Sequence, residues 1–188
     1  MNFIQNPSFE TGDFIGWSPT SNVLVTSEAK HSGLFGAKFS ALSPAAYVAQ
    51  LNSQVLNFQA EKKYYLQFWY KYLNPSGQFY VYLYDVIPAT TLVPNSLQWT
   101  LFQIEFTPTA DFNDELIFWN NYNNPLEHNF YIDDVWLGDT PPPTPPPLAE
   151  RVVFENAIIQ RIYELALKRN MLRLTELLKN SFTWHLET

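Results

Sequence analysis

Carboxylates and histidines are the residues in this chain that could catalyse a reaction. Paired carboxylates, or a base beside a nucleophile, would indicate an enzyme. Asp133 and Asp134 are adjacent in a strand-like segment, and successive side chains of a strand project to opposite faces. The three histidines are far apart in sequence, and there is no cysteine. A carboxylate pair such as Asp85 and Glu105 stays open, but the spacing of the residues predicts that the chain is not an enzyme.

Aromatic side chains are the second set with a chemical use, since their flat rings pack against the C–H faces of sugars. Because successive residues of a strand point to opposite faces, alternation along each strand distinguishes outward aromatic residues from buried apolar ones. We predict one open sheet face that binds glycan, formed by Gln67, Trp69, Lys71, Tyr80, Tyr82, Tyr84, Gln103, Trp119 and Asn121. The alternative is that a C-terminal helix, a neighbouring subunit or a loop covers this face.

Short strand-like runs must position these side chains. The runs fall at residues 22–26, 34–42, 45–51, 63–73, 78–86, 99–107, 115–121 and 129–137. Turn signals rich in Gly, Pro, Asn and Ser separate them, and no helical period lies between them. The pattern predicts an all-β sandwich of two sheets over residues 1–139.

Two motifs delimit this sandwich, Asn-Pro-Ser-Phe-Glu-Thr-Gly at 6–12 and Tyr-Ile-Asp-Asp-Val at 131–135. With the segments at 31–39, 47–51, 64–70 and 99–106, they resemble carbohydrate-binding modules of the family 4, 9 and 22 type over residues 3–138. The resemblance implies a galactose-binding-like jelly roll that binds polysaccharide or a cell-surface glycan without catalysis.

The same resemblance implies a structural calcium that ties the first strand to the last. Carried over by motif, its ligands are the side chains of Glu10 and Asp133, with backbone oxygens near Ser8 and in the turn that begins at His31. Calcium takes 6 to 8 oxygen ligands, so two carboxylates and several carbonyls are adequate. The alternative is that both carboxylates accept hydrogen bonds from turn amides without an ion.

A proline-rich linker at 140–148 precedes a tail at 149–188 with a different periodicity. Apolar residues there recur at helical spacing, which predicts helices at 149–168 and 171–180. Because a short helix is unstable alone in water, we expect it to bind copies of itself or another structural protein. The apolar residues of this oligomerisation or docking surface are Phe154, Ile158, Ile162, Leu165, Leu172 and Leu177.

Charge narrows the choice of partners. Residues 1–149 hold 13 acidic and 5 basic residues, which argues against nucleic acid. No apolar run is long enough for membrane insertion, and the chain begins without a signal peptide, which favours a phage virion or spore surface over the cytoplasm. We therefore expect a glycan-binding or adhesion module on an oligomerising or docking tail; the alternative is a structural assembly protein that binds no sugar.

Overall fold

A computed structural model of the protein describes residues 1–20, 22–41, 49–75, 77–83, 86–89, 91–120 and 128–143. The chain divides into two compact units, Met1–Pro142 and Pro143–Thr188, so the division falls within the proline-rich segment. The predicted tail helices lie outside the described residues, as do their apolar residues Phe154, Ile158, Ile162, Leu165, Leu172 and Leu177.

The described residues form eleven strands and one short 3-10 helix, Ser27–Ala29. In chain order the strands are β1 Trp17–Pro19, β2 Val23–Thr26, β3 Gly36–Ala41, β4 Gln50–Ser53, β5 Leu56–Phe58, β6 Tyr64–Tyr72, β7 Phe79–Tyr82, β8 Thr100–Phe106, β9 Phe112–Asp114, β10 Ile117–Asn120 and β11 His128–Gly138. No helix in this part of the chain is long and apolar enough to cross a membrane.

The strands form two main antiparallel sheets. The four-stranded sheet has the order β1-β4-β10-β7, and the five-stranded sheet has the order β2-β3-β11-β6-β8. A separate pair joins β5 to β9. Because β6 and β7 follow one another in sequence but belong to different sheets, the chain crosses the sandwich between them.

Alternating burial shows which side of each sheet faces the core. Along β6 every second residue, including Leu66 and Phe68, is buried. Phe68 contacts Phe118 of the opposite sheet with ring centroids 4.9 Å apart, and Phe79 stacks on Phe130 at 4.1 Å. These contacts join the inner faces, and truncating such a ring to alanine typically costs about 3–5 kcal/mol of stability.

Each of the eight predicted runs contains or overlaps an observed strand. The run predicted at 45–51 is displaced, because β4 spans Gln50–Ser53. Three strands of three residues each, β1, β5 and β9, were not predicted, because three residues are too few to show an alternation.

The N-terminal segment runs beside β11. The Phe3 amide donates to the Leu137 carbonyl at 2.7 Å, and the Asn2 side chain donates to the Val135 carbonyl and accepts from the Leu137 amide. The Met1 ammonium lies 3.6 Å from the Asp139 carboxylate. The two ends of the sandwich therefore meet at one point on its surface.

Candidate functional site

The predicted glycan face is divided between the two sheets. Gln67, Trp69 and Lys71 lie on β6 and Gln103 on β8, both in the five-stranded sheet. By contrast, Tyr80, Tyr82 and Trp119 lie on β7 and β10 of the four-stranded sheet. Since the inner sides of the sheets pack together, their outer faces point in opposite directions. The expectation that these side chains share one face is wrong.

The physical reason is the crossing between β6 and β7. β6 pairs with β11 and β8, whereas β7 pairs with β10. Tyr84 and Asn121, the remaining residues of the predicted face, lie outside the described residues. Any part that these side chains have in glycan binding stays a prediction.

The outer face of the four-stranded sheet carries an aromatic pair. Tyr80 and Trp119 are cross-strand partners, and their rings stack with centroids 4.9 Å apart and planes at 25°. β10 lies between β7 and β4, so the side of the Trp119 ring turned away from Tyr80 faces β4. There Gln50 is the register partner of Trp119. Both rings are half-buried, which leaves part of their surface open.

A polar network extends from the aromatic pair across the same face. Gln50 Nε2 donates to Asn52 Oδ1 at 2.8 Å, and Asn52 Nδ2 donates to Glu115 Oε2 at 2.6 Å. The network fixes the orientation of the Asn52 amide. It leaves the side-chain oxygen Oε1 of Gln50 and Oε1 of Glu115 without an intramolecular donor among the described residues.

Sequence reasoning did not assign Gln50, Asn52 or Glu115 to the site. The signal was the alternation around the buried Leu51, which turns Gln50 and Asn52 outward together. The predicted strand ended at Leu51, and its alternation was not followed. Together with Trp119 and Tyr80, these residues provide an apolar wall and hydrogen-bonding groups, which are the two requirements of a sugar site.

The outer face of the five-stranded sheet carries an aromatic cluster of His31, Trp69, Trp99 and Tyr131. His31 stacks on Trp69 with centroids 4.0 Å apart and planes at 13°. Trp99 meets His31 edge-on at 5.2 Å and lies 6.2 Å from Tyr131. Tyr131 donates its hydroxyl hydrogen bond to Glu28, and burial together with this carboxylate raises the pKa of Tyr131 above its ordinary value.

Beside this cluster, two carboxylates accept hydrogen bonds from the two ends of one turn, residues 31–35. Asp133 is fully buried and accepts the amides of His31 at 2.7 Å, Ser32 at 3.0 Å and Asp134 at 2.7 Å. Glu10 accepts the amides of Leu34 and Phe35 at 2.9 and 3.1 Å. We call Glu10, Asp133 and the turn 31–35 the clasp.

Gly33 at the centre of the clasp has a φ of +61°, which favours glycine. A Cβ at this position would lie 2.4 Å from Glu10 Oε1. The turn therefore has no room for a side chain where the Glu10 carboxylate closes over it.

Asp134 joins the same side of the sheet as Asp133. Its φ is +51°, and the pairing of β11 with β6 shifts register between Asp133 and Trp136. This irregularity brings the Asp134 carboxylate to Ser8 Oγ at 3.0 Å, Ser32 Oγ at 2.8 Å and His31 Nδ1 at 2.7 Å. The expectation that Asp133 and Asp134 project to opposite faces is wrong, because it assumed an unbroken strand.

The pKa values of the two neighbouring carboxylates, Asp133 and Asp134, shift in opposite directions. Burial, and then the charge of Asp134, raise the pKa of Asp133 to about 7, against the effect of its three amide donors. Burial would also raise the pKa of Asp134, but hydrogen bonds from His31, Ser32 and Ser8 outweigh it and lower the pKa. Burial therefore makes the Asp133 carboxylate costly to ionise, whereas hydrogen bonds keep its neighbour Asp134 ionised.

A family model described as "Carbohydrate binding domain" matches residues 1–124. The chain belongs to this family. The resemblance seen in the sequence is confirmed, and so is the all-β jelly-roll fold. Carbohydrate-binding modules are non-catalytic. No curated protein matches the chain.

Solved carbohydrate-binding modules share the fold. "Family 16 Carbohydrate Binding Module-2" is 25% identical, with a TM-score of 0.55 over 73% of this chain and 99% of that one. TmCBM61, solved in complex with β-1,4-galactotriose, is 19% identical, with a TM-score of 0.52 over 74% of this chain and 99% of that one.

A viral protein also contains this fold. The enzymatically active domain of tailspike protein 4 from bacteriophage CBA120 is 16% identical, with a TM-score of 0.55. The similarity covers 73% of this chain and 21% of that chain, so the fold occurs there as part of a larger protein.

The clasp contains two carboxylates, and calcium takes oxygen ligands of this kind. A carboxylate has about four lone-pair positions, and the amide hydrogen bonds use three on Asp133 and three on Glu10. One position remains on Asp133 Oδ1 and one on Glu10 Oε2. Among the described residues no group of three or more His, Cys, Asp or Glu side chains could hold a metal, so backbone oxygens would have to complete the shell.

Proposed function

We propose that the outer face of the four-stranded sheet binds an uncharged glycan. The observation that carries this proposal is the Trp119 ring, backed by Tyr80, beside the hydrogen-bonded amides of Gln50 and Asn52. Apolar C–H faces of a pyranose pack on the indole, and the amides and Glu115 bind hydroxyls. Membership of the carbohydrate binding domain family supports this reading.

The charge of the face sets the ligand class. β1, β4, β7 and β10 contain no lysine or arginine, and Glu115 places a carboxylate at the end of the polar network. A sugar acid would meet repulsion there, whereas neutral hydroxyls find acceptors. The first probe is β-1,4-galactotriose, because TmCBM61 is solved with it, followed by xylan and cello-oligosaccharides.

The test compares Trp119→Ala with Trp69→Ala, the same substitution on the opposite sheet. We expect calorimetric titration to show at least tenfold weaker neutral-glycan binding for Trp119→Ala, because the stacking surface is lost. Trp69→Ala should bind like the wild type. Far-UV circular dichroism checks that both variants fold. Binding that survives Trp119→Ala and disappears in Trp69→Ala would overturn the proposal, as would a wild-type protein that binds no neutral glycan.

At the clasp we propose a structural calcium held by Glu10 and Asp133, with backbone oxygens near Ser8 and in the turn that starts at His31. The free lone pair on each carboxylate supports this proposal. When bound, the ion would neutralise the charge of these carboxylates and hold the turn. The chain's own residues fix the position of the turn through the four turn amides that donate to the two carboxylates.

For residues 149–188 we propose oligomerisation or docking through the helical apolar set defined above. Several weak glycan sites on one assembly would bind a polymer with higher avidity. Such an assembly would suit adhesion from a phage particle or spore surface. The occurrence of the same fold in the bacteriophage tailspike protein supports this proposal.

A further inference from the structure

The outer face of the five-stranded sheet carries a lysine between two aromatic residues, and this lysine takes no part in the clasp. Tyr131 of β11 is the register partner of Lys71 on β6. β6 and β8 pair up to Tyr70 with Thr100, which places Trp99 beside Lys71 one position further along. Lys71 therefore lies in a row between Tyr131 and Trp99, whose rings are 6.2 Å apart.

Lys71 differs from two other lysines on or next to this sheet, because its ammonium group has no carboxylate partner among the described residues. Lys38, which is also a register partner of Tyr131, is paired with Glu28 at 2.8 Å. Lys63 is paired with Glu105 at 3.0 Å. The Lys71 side chain forms no ion pair or hydrogen bond with any residue that the structure describes, and it is half-buried. An ammonium group on a strand between two aromatic register neighbours is suited to a carboxylate on a ring-shaped ligand.

Two amides extend the same face. Gln67 and Gln103 are cross-strand partners, and Gln67, Trp69 and Lys71 are successive outward residues of β6. Their spacing places the amide pair about 13 Å from Lys71, at roughly 3.3 Å per residue. An amide pair, an aromatic surface and a cation follow one another along this row. A short acidic oligosaccharide that lies along the row would contact all three.

We propose that this face is a second glycan site, selective for sugars that carry a carboxylate. Lys71 binds the carboxylate, Trp69 and Trp99 pack against the sugar rings, and Gln67 with Gln103 binds hydroxyls. The two glycan sites lie on opposite sides of the sandwich and differ in ligand charge. This second site does not depend on the neutral-glycan site, so either can fail without the other.

The test uses full-length protein with a galacturonate tetrasaccharide and its methyl ester, which removes the ligand charge but keeps the rings. We expect the acid to bind and the ester to bind at least about fivefold more weakly, with the difference lost in about 0.5 M salt. Lys71→Gln should weaken binding of the acid about fivefold. Trp99→Ala should weaken binding of both ligands, by about tenfold.

Lys63→Gln is the matched control, because it removes the same charge from the residue just before β6, at the opposite end of that strand from Lys71. Lys71→Arg should retain binding of the acid. Trp119→Ala should bind the acid like the wild type and lose only the neutral glycan. Equal affinity for acid and ester, or equal losses in Lys71→Gln and Lys63→Gln, would overturn the second site. A folded wild-type protein that binds neither ligand would also overturn it and leave the neutral-glycan proposal standing.

Discussion

The two outer faces of the sandwich use aromatic residues differently. On the four-stranded sheet, Tyr80 and Trp119 stack on each other, and the neighbouring polar network involves strand residues and Glu115. On the five-stranded sheet, Trp69 stacks on His31, which belongs to the turn held by the clasp. One face is therefore assembled from its own strands, whereas the other is tied to a loop and to the buried Asp133. From this difference we expect stability and neutral-glycan affinity to respond to different substitutions.

The largest effect is expected at the clasp. Asp133→Ala leaves three partly buried backbone amides without their acceptor, so the free energy of unfolding should fall by about 3–5 kcal/mol. Urea denaturation measures the change. Glu105→Ala removes an exposed carboxylate of the same sheet and should cost less than about 1 kcal/mol. Similar losses in the two variants would show that the clasp does not hold the five-stranded face.

Removal of calcium should have the next largest effect. At an ion concentration of about 100 times Kd, bound calcium stabilises the native state by about 2.7 kcal/mol. A chelator should then lower the Tm by about 5–10 °C, as measured by differential scanning calorimetry. Glu10→Gln should lower the Tm in calcium and abolish the response to the chelator. A Tm that is the same with and without chelator would remove the calcium proposal.

A smaller effect is expected for Asn52→Ala on the opposite face. The substitution breaks both hydrogen bonds of the polar network, so neutral-glycan affinity should fall by about 1 kcal/mol, or roughly fivefold, while stability changes little. Asn57→Ala on the exposed side of β5 is the control and should leave affinity unchanged. Loss of stability without loss of affinity in Asn52→Ala would mean that the two faces do not differ as described.

The smallest effect on the sandwich is expected from truncation after Pro142. Because Met1–Pro142 is a compact unit, its Tm should change by less than about 2 °C, and both faces should keep their affinity for short oligosaccharides. Light scattering should show a lower oligomeric state, and binding to a long polysaccharide should weaken with the loss of avidity. An unchanged oligomeric state would remove the proposed role of residues 149–188.

Sequence alternation predicted which residues of β6 and β7 face outward, but it did not predict which sheet each strand joins. Inward and outward positions depend on local hydrophobicity, whereas sheet membership depends on distant partners such as β11 and β10. The irregularity at Asp134 escaped prediction for the same reason, because a register shift exists only relative to the neighbouring strand. The motif comparison did identify Glu10 and Asp133, and the structure places both on the turn 31–35.

The meeting of the two ends of the sandwich has a consequence for engineering. Met1 and Asp139 lie within 3.6 Å, so a few added residues would join them into a closed ring of chain. New ends could then be opened in an exposed turn, such as that around Pro94 and Asn95, to give a circular permutant. A permutant of this kind could be fused to a carrier through a different side of the sandwich. The position of the new ends would then determine which of the two outer faces points away from the carrier.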